Sequence, residues 1–505
     1  MRGVPDQSLQ VRETHCGGVV LVGERAFKFK KPVDLGFLDF RTPQARWAAC
    51  RDEVELNSRF APDVYLGVAT LALPDGAEEP LVVMRRMPDD RRLATLVRRG
   101  ADVDEALRGL ARQLAVAHAR SRRSADIDER AGVDALRGRW TANLDEARRS
   151  VPAVLGAPVF ADVERLVHRF LSGRRALFEL RVAEGCAVDG HGDLMAEDIF
   201  CLDDGPRALD CLEFDEALRF VDRLDDAAFL CMDLERLGAP RLGSAFLAWY
   251  AEFSGDAAPS SLRHHYVAYR AFMRAKIACL RTDLGSRAVV EARQLLGISH
   301  RHLQEGRVTL TVVGGLPGTG KTTLARALGD RLGAVVLSSD RIRKELASID
   351  PQRSAAAPWG EGIYSSGHTR RAYAELLRQA RQLLGLGESV VLDASWSSAE
   401  QRAAARGLAR ETASDLTEVR CLAADDLVAE RLSLRRAHRR LAGDFSDADT
   451  AVATTMASVF APWPEAVAVD TAPPPEDTAR QVAALVRPVT TGYAAPRPRS
   501  MIAPD

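Results

Sequence analysis

Gly314-Gly315-Leu316-Pro317-Gly318-Thr319-Gly320-Lys321-Thr322-Thr323 joins two apolar runs of different character. Before it, Val308-Thr309-Leu310-Thr311-Val312-Val313 reads as a buried strand; after it, Leu324-Ala325-Arg326-Ala327-Leu328 reads as the start of a helix. Strand, glycine-rich turn and helix are the setting in which G-x-x-x-x-G-K-[ST] forms a phosphate cradle. Gly315, Gly318 and Gly320 let main-chain N–H groups approach phosphate oxygens, and the helix start adds partial positive charge. Pro317, Thr319 and Thr323 complete the nucleotide-binding loop. Lys321 is placed to reach the β- and γ-phosphates, and the Thr322 hydroxyl to ligate Mg²⁺. A nucleoside triphosphate, ATP or GTP, with Mg²⁺ is therefore the expected ligand.

Downstream, residues 334–340 read as a second strand ending in Asp340, with Arg343 on the helix that follows. An acid there is placed to take the proton of an acceptor hydroxyl, although Asp also caps helices. Residues 351–367, rich in Ala, Pro, Ser and Gly, read as a mobile loop on the substrate side. Ser389-Val390-Val391-Leu392-Asp393 is an apolar strand ending in an acid, the arrangement by which Asp393 would hold Mg²⁺. Further on, Arg431, Arg435 and Arg439 share one helix face. They form either a lid that neutralises phosphoryl charge or a solvated basic face. Alternating strands and helices predict a parallel doubly wound sheet, with nucleotide at the carboxyl ends of the strands.

The first three hundred residues read differently. A hairpin broken at Gly23-Glu24 carries Lys28 and Lys30 on one strand face, and the helix over about 44–59 carries Glu53 and Glu55. A strand lysine paired with a helix glutamate holds ATP phosphates in kinase-type folds, whereas a solvated edge strand would also carry lysines. Residues 81–88 predict a strand ending at a proline hinge. Helical periodicity runs through 103–120, 160–180, 226–237 and 262–281, where His118, His168, His264 and His265 read as packing or surface residues. Among these helices, residues 191–202 read as a β-like segment and 207–215 as its continuation. Asp193, Asp198 and Asp210 recur there at a spacing that suits a proton acceptor (Asp193) and two Mg²⁺ ligands (Asp198, Asp210).

His191-Gly192-Asp193-Leu194, with Lys28 and Asp210, resembles the aminoglycoside phosphotransferase family, small-molecule kinases on a protein-kinase-like two-lobed fold. The string Phe27-Lys28-Phe29-Lys30-Lys31-Pro32-Val33-Asp34-Leu35-Gly36-Phe37-Leu38-Asp39-Phe40 is similar to bacterial proteins that fuse such a domain to a P-loop ATP-binding kinase, and this likeness spans essentially the whole chain. The family loop usually reads H-G-D-L-H-x-x-N-I; here Met195 stands for the second histidine and Asp198 for the asparagine, adding a charge beside Asp210. Asp340, Arg343, Asp393 and the lid arginines make the C-terminal half similar to the polynucleotide kinase, gluconate kinase, zeta toxin and chloramphenicol phosphotransferase group of AAA-type P-loop proteins. That resemblance does not carry over an acceptor.

With 505 residues, one hydrophobic core is not expected to suffice. The expected division is a kinase-like domain over 1–305, a P-loop kinase or ATPase domain over 306–490, and a loose tail over 491–505. A net charge of −1 without a long basic block gives no footprint for nucleic acid or an anionic membrane. The eight cysteines form no C-x-x-C pair and read as thiols. No apolar stretch approaches ~18 residues, so a cytoplasmic location is expected. Taken together, these features predict a phosphotransferase that moves a γ-phosphoryl group to a small-molecule hydroxyl. Two alternatives stay open: a regulatory ATPase whose N-terminal part is a degenerate ligand sensor, and a kinase of nucleic-acid 5′-hydroxyl ends.

Overall fold

The computed structural model describes residues 10–13, 17–34, 39–74, 76–280, 286–350, 353, 360–438 and 450–487, with side chains except at 155, 280 and 435–438. Arg439, the Arg435 side chain, much of the 351–367 loop and the 491–505 tail lie outside the described residues. The chain forms two compact units. One comprises residues 1–160, 179–258 and 265–302; the other comprises 161–178, 259–264 and 303–505.

In the first unit, β1 (Gln10–Glu13), β2 (Gly17–Val22), β3 (Arg25–Lys30), β4 (Tyr65–Ala72) and β5 (Glu78–Arg85) form an antiparallel sheet in the order β1-β2-β3-β5-β4. Gly23, at φ 53°, supplies the left-handed turn between β2 and β3. Because β3 is the central strand, the edge-strand reading of its lysines fails. Lys30 is buried, on the same face as Ala26 and Lys28. The Pro43–Asn57 helix, capped by the Thr42 hydroxyl with Pro at its first turn, packs against this sheet. The rest of the unit is mainly helical around two small antiparallel sheets, β6 (Ala187–Asp189) with β9 (Phe220–Asp222) and the hairpin β7 (Ile199–Leu202) with β8 (Gly205–Ala208). Residues 191–195, expected to be β-like, form an irregular loop, and Ala196–Asp198 is a single 3₁₀ turn. Polar contacts from a neighbouring helix hold that loop in place of a strand ladder, as described below.

The second unit is built on β10 (Thr309–Gly314), β11 (Val335–Ser338), β12 (Val390–Asp393), β13 (Asp415–Leu422) and β14 (Val467–Asp470). Their order is β11-β12-β10-β13-β14, every neighbour parallel. All six residues of β10 are buried, as a central parallel strand covered on both faces must be. Val313, Val391, Val419 and Val469 meet Leu324 and Leu328 of the Lys321–Leu332 helix, and Val482 and Val486 of the Pro475–Val486 helix. Each such side chain contributes about 1.5–3 kcal/mol by leaving water. Asp340 lies in the first turn of the Ser339–Leu346 helix rather than at a strand end, and Ser338, not Asp340, occupies the cap position.

The helical run expected over 160–180 is two helices, Ala157–Gly173 and Arg175–Ala183, and the break falls within the stretch 161–178 that belongs to the parallel-sheet unit. A Cβ on Gly173 would stand 2.2 Å from the Thr412 carbonyl oxygen. The buried Arg174 donates to that same carbonyl at 2.7 Å and to the Ser414 hydroxyl at 3.3 Å. Arg169 donates to the carbonyls of Ala413 and Ser414 and pairs with Asp415 at 2.8 Å. Burial pulls the Arg174 guanidinium down to about 9, with Arg169 adding to the effect. Among the described residues no helix is long and apolar enough to cross a membrane. The described cysteines (Cys50, Cys186, Cys201, Cys211, Cys231, Cys279 and Cys421) are free and buried.

Candidate functional sites

The loop after β10 has a backbone that side chains would obstruct. Gly315, Gly318 and Gly320 have φ of 146°, 83° and 77°. A Cβ on Gly315 would fall 2.8 Å from the Cys421 carbonyl oxygen, and one on Gly320 3.1 Å from the Thr471 hydroxyl. The loop is held from behind. Gly315 N–H donates to the Ser395 carbonyl at 3.1 Å, the Thr319 hydroxyl to the Leu316 carbonyl at 2.7 Å, and the Thr471 hydroxyl to the Thr319 carbonyl at 2.8 Å. Pro317 and Thr319 are buried, whereas Thr323 is exposed. Lys321 is buried at the start of the helix.

Asp393, at the end of β12, accepts the Thr322 hydroxyl on Oδ2 at 2.9 Å. Among the described residues its buried Oδ1 has no donor in hydrogen-bond geometry. Burial raises the Asp393 carboxyl above the usual aspartate range; Lys321 opposes this, Asp340 adds to it, and the Thr322 and Ser338 hydroxyls lower it again. A hydroxyl and a carboxylate in contact, one carboxylate oxygen left without a donor, and a loop of open amides fit a hard cation bound to phosphate oxygens. Arg343 donates to the Ile363 carbonyl at 3.0 Å and to the Thr369 hydroxyl at 2.9 Å, with its guanidinium 5.0 Å from the centre of the Tyr364 ring. Arg431 donates to the Thr471 carbonyl (2.7 Å) and hydroxyl (3.1 Å) beside Gly320, so it lies against the loop's flank. Of the two lid readings, a freely solvated face does not describe Arg431.

In the first unit, the fully buried Glu53 carboxylate is shared by two ammonium groups, Lys28 Nζ on Oε1 and Lys30 Nζ on Oε2, each at 2.7 Å. Lys28 also meets Asp210 at 2.5 Å, and Lys30 meets Glu213 at 2.5 Å. Five alternating charges thus run from the loop after β8 to the sheet and back, and Glu53, not the exposed Glu55, is the helix partner. Burial disfavours the Lys28 charge, yet Asp210, Glu53 and Glu213 outweigh it and hold its pKa well above the ordinary value. Lys28 in turn holds Asp210 below the usual range. Asp210, at φ 65°, has left-handed backbone, and its N–H donates to the Tyr65 hydroxyl at 3.1 Å. Asn57 ties the end of the glutamate helix to this turn, its Oδ1 accepting from Cys211 N–H at 2.8 Å.

Burial pushes the Asp193 carboxyl up to about 6, opposed by Arg274 and Arg270. The Asp198 carboxyl is raised by burial and by the charges of Asp210 and Asp193. Three carboxylates that repel one another beside a lysine suit a divalent cation with phosphate. The loop itself hangs from the Arg223–Arg236 helix. Asp226 accepts the N–H of His191 and of Gly192, each at 2.8 Å, and His118 Nε2 at 2.9 Å. Asp233 accepts Ala196 N–H at 2.9 Å, while Asp225 pairs with Arg270, whose guanidinium reaches the Gly192 carbonyl at 3.4 Å. Sequence reasoning missed Asp225, Asp226, Asp233 and Asn57. The one signal available was a helix carrying three acids on an otherwise apolar stretch, Asp225, Asp226 and Asp233.

Sheet order and site geometry therefore place a protein-kinase-like two-lobed α+β unit and a P-loop α/β unit in one chain, as its residues implied. A family described as an AAA domain matches residues 310–463. Uncharacterized protein Rv2004c of Mycobacterium tuberculosis and uncharacterized protein Mb2027c of Mycobacterium bovis are each 47% identical over 475 residues, 94% of this chain and 94% of theirs. The chain belongs to the family of these mycobacterial proteins. Solved structures similar to parts of it include a putative kinase from Chloroflexus aurantiacus (24% identity, 35% of this chain and 97% of that one, TM-score 0.28). The APS kinase CysC of Mycobacterium tuberculosis with AMPPNP and APS is 20% identical over 35% of this chain and 97% of its own (TM-score 0.27). APH(2″)-IIia with GDP and kanamycin is 17% identical over 59% and 94% (TM-score 0.38).

Proposed function

We propose that the chain is a cytoplasmic, Mg²⁺-dependent phosphotransferase with two kinase-type sites, each moving the γ-phosphoryl group of ATP or GTP to a small-molecule hydroxyl. The kinase-like activity is assigned to residues 1–305 and the P-loop activity to 306–490. The observation that carries the reading is the Thr322–Asp393 contact, with its donorless Oδ1, at the mouth of the Gly315–Gly320 cradle. In the P-loop site, Lys321 and the loop amides grip the phosphates, Thr322 and Asp393 would hold the metal, and Asp340 takes the acceptor's proton. Arg431, with Arg435 beyond it on the same helix, lies on the side where phosphoryl charge develops. In the kinase-like site, Glu53 fixes Lys28 against the phosphates, Asp193 receives the hydroxyl proton, and Asp198 and Asp210 would hold metal. The metal's own contribution, when bound, is to neutralise phosphate oxygens so that the in-line displacement is not opposed by charge.

The sensor reading keeps one observation on its side: Asp198 adds a third carboxylate next to Asp193 and Asp210. The two readings separate in one experiment. The protein is incubated with Mg·ATP or Mg·GTP and a metabolite extract, and species gaining a phosphate are sought by mass spectrometry. Lys321→Ala is expected to remove one product and Asp193→Asn a different one. If Asp193→Asn leaves every product intact, the first unit is not a catalyst and the sensor reading replaces it.

A further inference from the structure

Apart from these sites, a cavity of about 1070 Å³ opens in the kinase-like unit, and Lys28, Glu53, Asp193, Asp198 and Asp210 are not among its lining residues. It is bounded by the end of the Pro43–Asn57 helix and the turn after it, by one side of the Asp104–Ala119 helix, and by β8. The volume is that of a site for a small organic molecule. Its accessible apolar surface comes from Leu56, Phe60 and Val116, with the buried Leu110, Leu114 and Pro206 behind them. Val116 is 44% exposed, an apolar side chain left open to the cavity rather than covered by the fold.

The charge around this wall is uneven. Five arginines and three carboxylates line the cavity, a surplus of two positive charges. Asp189 is already occupied, held by Arg219 at 2.8 Å and Arg59 at 3.4 Å. Glu216 stands 4.0 Å from Arg122 and 3.8 Å from Arg219. Arg112 and Arg120 are exposed, and neither side chain has a hydrogen-bond or ion-pair partner among the described residues. They lie four residues to either side of Val116, Arg112 on the same helix face and Arg120 at the helix C-cap. An apolar wall flanked by two guanidinium groups with spare donors is complementary to a molecule with a hydrophobic body and an acidic head.

We propose that this cavity binds an amphipathic organic anion, its apolar body against Leu56, Phe60 and Val116 and its acid group on Arg112 and Arg120. The wall it would touch is joined to the loop that carries Asp193. Arg59 donates to the carbonyls of Asp189 and Gly190, both at 3.1 Å, immediately before His191-Gly192-Asp193. The test uses the full chain and two fluorescent probes of one shape, 1-anilinonaphthalene-8-sulfonate and its uncharged counterpart N-phenyl-1-naphthylamine. The sulfonate is expected to bind saturably, and an Arg112→Ala/Arg120→Ala variant to weaken it about tenfold, leaving the neutral probe within about twofold. Val116→Trp, which fills the mouth from an exposed position, is expected to weaken both probes. Circular dichroism checks that each variant keeps its fold. Unchanged sulfonate affinity in the double-arginine variant, equal loss of both probes there, or binding indifferent to Val116→Trp would overturn the proposal.

Discussion

Replacing Glu53 with Gln keeps the side chain's shape and removes the one negative charge that Lys28 and Lys30 share. Both ammonium groups then rely on a single partner each, Asp210 and Glu213. The Lys30 side chain is 3% exposed, so water cannot replace the lost carboxylate there. Removing one partner from a buried ion pair costs about 3–5 kcal/mol, which is roughly a hundred- to several-thousand-fold in the opening equilibrium. Because a chain with two compact units need not unfold in one step, the readout is native-state hydrogen exchange by mass spectrometry, following peptides from β3 and the Pro43–Asn57 helix. Protection there is expected to fall by the factor above, while peptides from β10 and the Lys321–Leu332 helix stay unchanged. Adding Lys30→Met removes the stranded cation, so Glu53→Gln/Lys30→Met is expected to lose at least about 1 kcal/mol less than the two single changes added together. Strict additivity, or a Glu53→Gln effect below about 1 kcal/mol, would refute the shared-carboxylate account.

Gly320→Ala puts a Cβ at left-handed φ against the Thr471 hydroxyl. The backbone cost of about 1–2 kcal/mol predicts nucleotide affinity in the P-loop unit weaker by roughly tenfold in calorimetry, and unchanged affinity counts against the cradle. His265 is buried and accepts the Trp140 indole N–H at 3.1 Å, and burial lowers its pKa to about 3. The unfolded chain binds a proton near the ordinary histidine value of about 6.5 and the folded chain does not, so this contribution is fully present above that value. It is lost as pH falls from there toward 3. His265→Gln is expected to flatten the stability-against-pH slope of the kinase-like unit between pH ~6.5 and ~4, measured by the exchange of peptides around Trp140. An unaltered slope would show that His265 does not titrate this way.

The parts of both sites that could be read in the sequence are those whose chemistry is local. The glycine spacing around Lys321 and the apolar strand ending at Asp393 each declare themselves within about ten residues, because strand, turn and helix start are consecutive. Lys28 and Glu53 were legible for a different reason: period two fixed the strand face, and only one nearby helix could answer it. What could not be read acts through the main chain of distant residues. Asp226 accepts two amide hydrogens from a loop 34 and 35 positions earlier, and Thr471 accepts an arginine and donates to a carbonyl 152 positions back. No side-chain pattern marks a partner that is a peptide group. Asp340 was displaced for a similar reason, since the strand before it ends two residues early to let Ser338 lead the helix.

The contact between Arg174 and the Thr412 carbonyl spans 238 positions of the chain. During synthesis at roughly 5–20 residues per second, the guanidinium leaves the ribosome on the order of 10–50 s before the oxygen it will meet. Over that interval an arginine-bearing helix end lacks these partners, and the stretch that completes it is still being translated. A gene fragment started at residue 306 would never make that helix at all, leaving Thr412 and Ser414 to water. Co-expressing residues 1–305 with such a fragment, or carrying 161–178 along with it, is thus the way to obtain the nucleotide-cradle half with its back wall complete.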